Sequence, residues 1–303
     1  MKQFTHYKKL IPAIACICLA TTAKSQLNTF GSGYYQNRYL LNPAMSGLQQ
    51  QLIINAAYKK DQLSFTESPT NQYLTADYGL SEKTGVGAYV VTNQAGPLKQ
   101  INAMGTYSYH IAFSETNKLH MGISLGINNN RLDISKTNGE ADDPALLNYN
   151  SKGTRFEAGF GAAYAYGNLL VQASLPQLGS QFKKEEKNQA NRPLAFASVS
   201  YKIKISEEAE GIYAEPMLCV RAIKDADNII DAGSNFTFLN NRLNIMAVYH
   251  TNKSITAGVG LQVIDQVLVN ALYHSVTGGL KTFSDGGLEV GLRINLSGIS
   301  KKQ

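Results

Sequence analysis

Lys118-Leu119-His120-Met121-Gly122-Ile123-Ser124-Leu125-Gly126-Ile127-Asn128 alternates strictly between apolar and small or polar residues. Leu119, Met121, Ile123, Leu125 and Ile127 fall on one face, and His120, Gly122, Ser124, Gly126 and Asn128 on the other. Period two is the spacing of a β-strand, because successive side chains point to opposite sides of the pleat. The last such segment repeats the pattern, with Leu288, Val290, Leu292, Ile294 and Leu296 set against Glu289, Gly291, Arg293 and Asn295.

Outward from this stretch, alternation recurs from about residue 51 to the end with hardly any helical period. It predicts about fourteen strands: 51–59, 71–80, 84–93, 98–113, 117–131, 154–166, 168–175, 192–205, 210–222, 228–239, 242–250, 254–263, 266–275 and 285–296. A soluble sandwich also alternates, so strand length decides. Most of these segments reach the roughly 9 to 11 residues that a tilted membrane strand needs, whereas strands of soluble proteins centre on about 5 or 6. Tyr58, Tyr73, Tyr78, Tyr107, Tyr109, Tyr164, Tyr166, Tyr201, Tyr249 and Tyr273 fall mainly near predicted strand ends, where interfacial aromatic girdles sit. Hydrocarbon offers backbone groups no water, so a sheet in lipid must close on itself. The expected fold is a closed antiparallel transmembrane β-barrel of about 14 strands. Glycines on the polar face, as at Gly85 and Gly87 or Gly159 and Gly161, would ease curvature and leave room in the lumen for an inserted segment.

Residues 1–25 have the parts of a secretory signal: basic Lys2, Lys8 and Lys9, an apolar stretch from Leu10 to Ala20, and small residues around Ala23-Lys24-Ser25. Cleavage is expected before Gln26. Cys16 and Cys18 lie inside the apolar stretch, so lipid modification of one of them is the weaker alternative. Removing Lys2, Lys8, Lys9 and Lys24 leaves 24 basic against 22 acidic residues, a net charge of +2. The high isoelectric point therefore belongs mostly to the targeting peptide, and nucleic acid is not an expected partner. Cys219 is the one cysteine of the mature chain, which excludes an internal disulfide and a thiolate zinc site; it reads as a packed structural thiol. No window of the mature chain approaches the 18 to 20 apolar residues of a membrane-spanning helix.

Motifs of chemistry fail on their context. Gly122-Ile123-Ser124-Leu125-Gly126 matches a nucleophile-elbow pattern, yet the serine sits within an alternating strand and no helix follows. Gly159-Phe160-Gly161 and Gly258-Val259-Gly260 lack the further glycine and helix that cradle a phosphate. His110, His120, His250 and His274 are scattered singly and read as polar-face or interfacial residues. Glu140, Asp142 and Asp143 lack the ligand order of a calcium loop and read as a solvated acidic loop. No catalytic site, cofactor or metal is expected, and no serine–histidine pair stands out.

Two regions break the rhythm. Ile134 to Gly153 is a long loop containing Glu140, Asp142, Asp143 and Pro144, with a shorter counterpart at Gly179 to Asn191. The segment Gln26 to Gln50 precedes the first strand and contains Tyr34-Tyr35-Gln36-Asn37-Arg38-Tyr39-Leu40-Leu41-Asn42-Pro43-Ala44-Met45-Ser46-Gly47. Asn42-Pro43 starts a turn and Gly47 permits a second sharp bend. This segment is either a lead-in to the first strand or an ordered element packed in or beneath the barrel through its tyrosines.

At this motif the chain resembles the PorP/SprF family of outer-membrane proteins of the Bacteroidetes type IX secretion system. Tyr35, Asn37, Asn42, Pro43, Ala44 and Gly47 match the family's tyrosine-rich opening that ends in Asn-Pro-Ala and a glycine, although Arg38-Tyr39-Leu40 stands where many members are more apolar. Arg155 to Gly161, continuing through Leu175-Pro176-Gln177-Leu178, resembles the family's Gly-Phe-Gly strand and its proline-containing exit. Ala214-Glu215-Pro216-Met217-Leu218 resembles a family Glu-Pro strand.

The resemblance implies a non-enzymatic outer-membrane barrel that binds the C-terminal sorting domain of a large secreted protein, a gliding adhesin in some species, and supports its secretion and surface retention. Outer-membrane lipids and other secretion-system components are the further partners it implies. The expected division is 1–25 signal peptide, 26–50 N-terminal segment and 51–303 barrel. Tyr35, Asn37, Asn42, Pro43, Ala44 and Gly47, with Glu140, Asp142 and Asp143, are the candidate partner-binding or plug residues. The competing readings are a passive channel for small solutes and, more remotely, a membrane-embedded hydrolase.

Overall fold

The computed structural model describes residues 32–63, 68–133, 144–151, 153–179, 193–206, 211–223, 227–276 and 285–296. The expected signal peptide lies outside these residues, as do Glu140, Asp142 and Asp143. The strands are β1 (Leu52–Lys60), β2 (Thr70–Gly79), β3 (Thr84–Ala95), β4 (Leu98–Ala112), β5 (Asn117–Leu132), β6 (Thr154–Tyr166), β7 (Leu169–Leu175), β8 (Pro193–Tyr201), β9 (Ile203–Ser206), β10 (Ile212–Ile223), β11 (Ile229–Phe238), β12 (Leu243–His250), β13 (Ser254–Ile264), β14 (Val267–Val276) and β15 (Gly287–Leu296).

Each strand pairs antiparallel with its chain neighbour, and β1 closes the sheet against β15 in the register Leu52↔Leu296 to Lys60↔Leu288. The predicted strand 192–205 is interrupted at Lys202, so β8 and β9 are two pieces of one stave, both paired with β10. The barrel therefore has fourteen staves. Closure leaves no sheet edge running the length of the membrane, which the hydrocarbon requires.

The decisive feature is which face points where. In β5, Ile123 and Leu125 are 50% and 54% exposed, while Ser124 and Asn128 between and beside them are 2% and 3% exposed. Apolar side chains cover the outside and polar ones fill the inside, the reverse of a soluble sandwich and the pattern of a lipid-facing barrel.

Connections 80–83, 113–116, 167–168, 207–211, 239–242 and 265–266 lie at one end and none exceeds five residues, whereas the other end carries 61–69, 133–153, 176–192 and 277–286 beside the shorter 96–97, 224–228 and 251–253. Short turns mark the periplasmic end of an outer-membrane barrel and long loops the outer end. Exposed Tyr107, Tyr109, Tyr164, Tyr166 and Tyr201 ring the periplasmic end, and Tyr58, Tyr249 and Tyr273 the outer end, as two girdles. Tyr73 departs from that expectation. It shares the inward face with Thr75 and Asp77 and packs against the core cluster.

The loop 134–153 also differs from a plain connection, because Pro144–Ser151 forms a short helix, α1. Asn150 fastens it to the wall by accepting from the Leu132 amide at 2.8 Å and donating to the Leu132 carbonyl at 3.0 Å.

Candidate functional site

The N-terminal segment lies inside the barrel. Ser32 stands among the outer ends of β12 and β13, and the chain descends through three 3-10 turns, Gly33–Tyr35, Arg38–Leu40 and Pro43–Met45, to Gly47 at the periplasmic end, where β1 begins. Asn42 is extended, as a residue before proline must be, and its Oδ1 accepts from the Ala44 amide at 3.0 Å. Pro43 then occupies the first position of the turn, where its missing N–H costs nothing. The segment contributes Tyr34, Tyr35, Tyr39, Leu40, Leu41 and Met45 to the buried apolar cluster, and inward-facing residues of the wall such as Met104, Phe196 and Met246 pack around them.

Glycines of the wall make the seat. A Cβ at Gly122 would lie 2.3 Å from the Pro43 carbonyl carbon, at Gly161 2.0 Å from Asn42 Oδ1, and at Gly87 2.6 Å from the Tyr39 hydroxyl. Gly47 has φ +63°, and a Cβ there would lie 2.4 Å from Gly85 Cα. Gly159 serves a different neighbour, since a Cβ on it would meet the Pro176 carbonyl oxygen at 2.9 Å. Polar contacts then fix the register. The Gly47 amide donates to Asp77 at 2.9 Å, Ser108 donates to the Ser46 carbonyl at 2.8 Å and Ser174 to the Leu41 carbonyl at 2.6 Å. Asn42 donates to the Ala162 carbonyl and to Gln172, both at 3.2 Å, and Asn37 donates to Thr75 at 3.0 Å. The Tyr35 hydroxyl donates to the Met217 carbonyl at 3.1 Å, and Ala44 is wholly buried.

The outer half of the segment docks on a buried polar belt that crosses six consecutive strands. Arg221 grips Asp231 with two hydrogen bonds, 2.7 Å from Nε and 2.9 Å from Nη2. Asp231 meets His250 Nδ1 at 2.5 Å, His250 Nε2 meets Thr256 at 2.9 Å, Thr256 meets His274 Nδ1 at 2.8 Å, and His274 Nε2 meets Glu289 at 3.2 Å. Two plug side chains join the belt: Ser32 donates to Thr256 at 2.9 Å, and Tyr34 donates to Asp231 beneath the Arg221 guanidinium. Cys219 is completely buried, with its sulfur 3.8 Å from the Tyr34 hydroxyl.

This belt is what the sequence reading missed. Histidines that look scattered are gathered by the sheet, His110 against His120 at 3.0 Å and His250 with His274 through Thr256. A legible signal existed: Arg221 and Asp231 sit on the inward face close to the connection between β10 and β11, where opposite charges must meet. A serine–histidine–aspartate contact also forms, with Ser32 Oγ 3.3 Å from His250 Nε2. All three side chains are fully buried, and the serine proton is engaged by Thr256. Among the described residues, no group of three or more His, Cys, Asp or Glu side chains could hold a metal ion.

The family model for type IX secretion system membrane protein PorP/SprF matches residues 23–294, a span that takes in both the seated segment with Asn42-Pro43 and nearly all of the barrel. The chain belongs to the PorP/SprF family. Its members are membrane proteins of the type IX secretion system, and this one is an outer-membrane barrel. No curated protein matches the chain. Among solved structures, the TodX deltaS2S3 mutant monoaromatic hydrocarbon channel is similar at 10% identity and TM-score 0.50, covering 91% of this chain and 96% of that one. The Acinetobacter baumannii outer membrane protein Omp33 is similar at 10% identity and TM-score 0.47, covering 83% and 99%, and a Rh. blastica porin mutant at 9% identity and TM-score 0.35, covering 81% and 99%. At 10% identity the likeness to the TodX mutant speaks to the fold of this PorP/SprF protein alone.

Proposed function

We propose that this barrel is a non-enzymatic component of type IX secretion that binds the C-terminal sorting domain of a large secreted protein and supports its secretion and surface retention. The observation that carries this reading is a family match over nearly the whole barrel together with a lumen through which residues 32–47 are threaded. A lumen so occupied leaves loops, rims and outer wall as the surfaces that can work on a partner. The buried Ser32, His250 and Asp231 fit the role of an anchor, since a hydrolytic serine needs a free hydroxyl, a substrate path and an oxyanion donor.

The candidate residues divide accordingly. Tyr35, Asn37, Asn42, Pro43, Ala44 and Gly47 hold the plug, which keeps the barrel rigid for docking. Glu140, Asp142 and Asp143 are proposed as outer-end contacts to the partner. Passive conduction of small solutes is the competing reading, supported by the polar inner wall and opposed by the plug.

Deleting the gene tests the proposal. The expected result is loss of one or more large proteins from the cell surface, with accumulation in the medium or the periplasm. Unchanged surface and medium proteomes would overturn it.

A further inference from the structure

One stretch of the wall is not stitched. Met217 stands opposite Ser200 and Ala214 opposite Ile203, so the same register sets Pro216 opposite Tyr201 and Glu215 opposite Lys202. Neither of those two pairs forms. Pro216 has no N–H to give, and sheets confine proline to edges and bulges for that reason. The Lys202 N–H is used on the side away from β10, donating to the Asn168 carbonyl at 3.0 Å. Beyond the break, β9 pairs among the described residues with β10 only, whereas β8 pairs with both β7 and β10.

The lumen behind the break is not packed. A cavity of about 330 Å³ is lined there by Glu215 and by Asn235, its partner across the β10–β11 ladder.

What spans the break from inside is a side chain of the plug. Arg38 pairs with Glu215 of β10, and its Nη2 lies 3.4 Å from Ser200 Oγ of β8. Ser200 donates to Glu215 at 2.9 Å. One guanidinium thereby reaches both sides, Glu215 within the break and Ser200 just above it. At the exposed rim, Lys202 Nζ also lies 4.6 Å from the centre of the Tyr213 ring. The position of Arg38 is tied to the seating of the plug, because its neighbours Asn37 and Tyr39 donate to Thr75 and Thr106 on the opposite wall at 3.0 and 2.9 Å.

We propose that the boundary between β8/β9 and β10 is a lateral seam of the barrel, latched from inside by Arg38. Withdrawal of the plug's middle turn removes the latch, and the wall then parts at Pro216, joining the cavity to the bilayer beside the periplasmic tyrosine girdle. Plug and wall act as one device, shut on its side when the plug is seated and open there when the plug is drawn out. This coupling does not depend on the secretion reading.

Amide hydrogen exchange of the full mature chain in lipid nanodiscs, read by mass spectrometry, tests it. Arg38→Met should raise exchange in residues 201–206 and 212–216 by about tenfold or more, as loss of a charge-assisted hydrogen bond does. Strands β4 and β5, paired along their whole length, should be unchanged. Pro216→Ala, which gives the wall back an N–H, should slow exchange at the seam and cancel most of the effect of Arg38→Met. Heat-modifiable migration in gels checks that each variant is folded. Should Arg38→Met not fold, Arg38→Lys keeps the charge but lacks the fork that reaches both sides, and a smaller rise at the same residues is expected. No rise at the seam in a folded Arg38 variant, a rise spread evenly over all strands, or no protection from Pro216→Ala would overturn the proposal.

Discussion

Tyr34 of the plug donates its phenolic proton to Asp231 of the barrel wall, 197 residues further along the chain. The contact ties the segment that precedes the first strand to the eleventh. Removing the hydroxyl with Tyr34→Phe should cost about 1.5–3 kcal/mol, as for a hydrogen bond to a charged group. Hydrogen exchange should rise in residues 32–41 while the strands stay protected. Equal exchange in variant and native protein would show that the bond does not hold the plug.

Asp231 has a second duty, neutralising a guanidinium with no access to solvent. Asp231→Asn leaves Arg221 buried without its counter-charge, and breaking such a pair costs about 3–5 kcal/mol. Equilibrium unfolding in urea should shift accordingly, and by much more than for Asp265→Asn, whose ion pair with Arg242 is exposed.

Gly47 closes the plug onto β1 in a left-handed conformation with backbone on two sides. Gly47→Ala should cost more than the roughly 1 kcal/mol of the conformation itself, because the new Cβ meets Gly85 Cα and the Tyr78 carbonyl oxygen. Gly122→Ala should be comparably damaging, as it meets the backbone of Pro43. Limited proteolysis should then cut within 32–50 in both variants and spare the native segment.

The plug also predicts an electrical result. The native protein should be silent in planar bilayers, and deletion of residues 32–46 should produce a stable conductance through a polar lumen. A conducting native protein would favour the channel reading.

How far the sequence alone reaches is visible strand by strand. Alternation locates β5 within a residue or so of its observed ends, because each inward–outward choice is made locally by the lipid. The break at Lys202 and helix α1 are not in that signal, since one depends on two pieces sharing β10 and the other on Asn150 reaching Leu132. The site is less legible still. Asn42-Pro43 and Gly47 announce turns, but nothing local says that Gly122 and Gly161 lie above them or that Ser32 reaches Thr256. Contacts between residues hundreds of positions apart appear only after closure fixes the register.

The proposed hold on a secreted partner is read out by purifying the tagged barrel from cross-linked, detergent-solubilised native outer membranes and identifying what accompanies it by mass spectrometry. Recovery of a large exported protein, cross-linked through its C-terminal domain, is the predicted result. Recovery of the barrel alone, under conditions that preserve other outer-membrane complexes, would contradict the account.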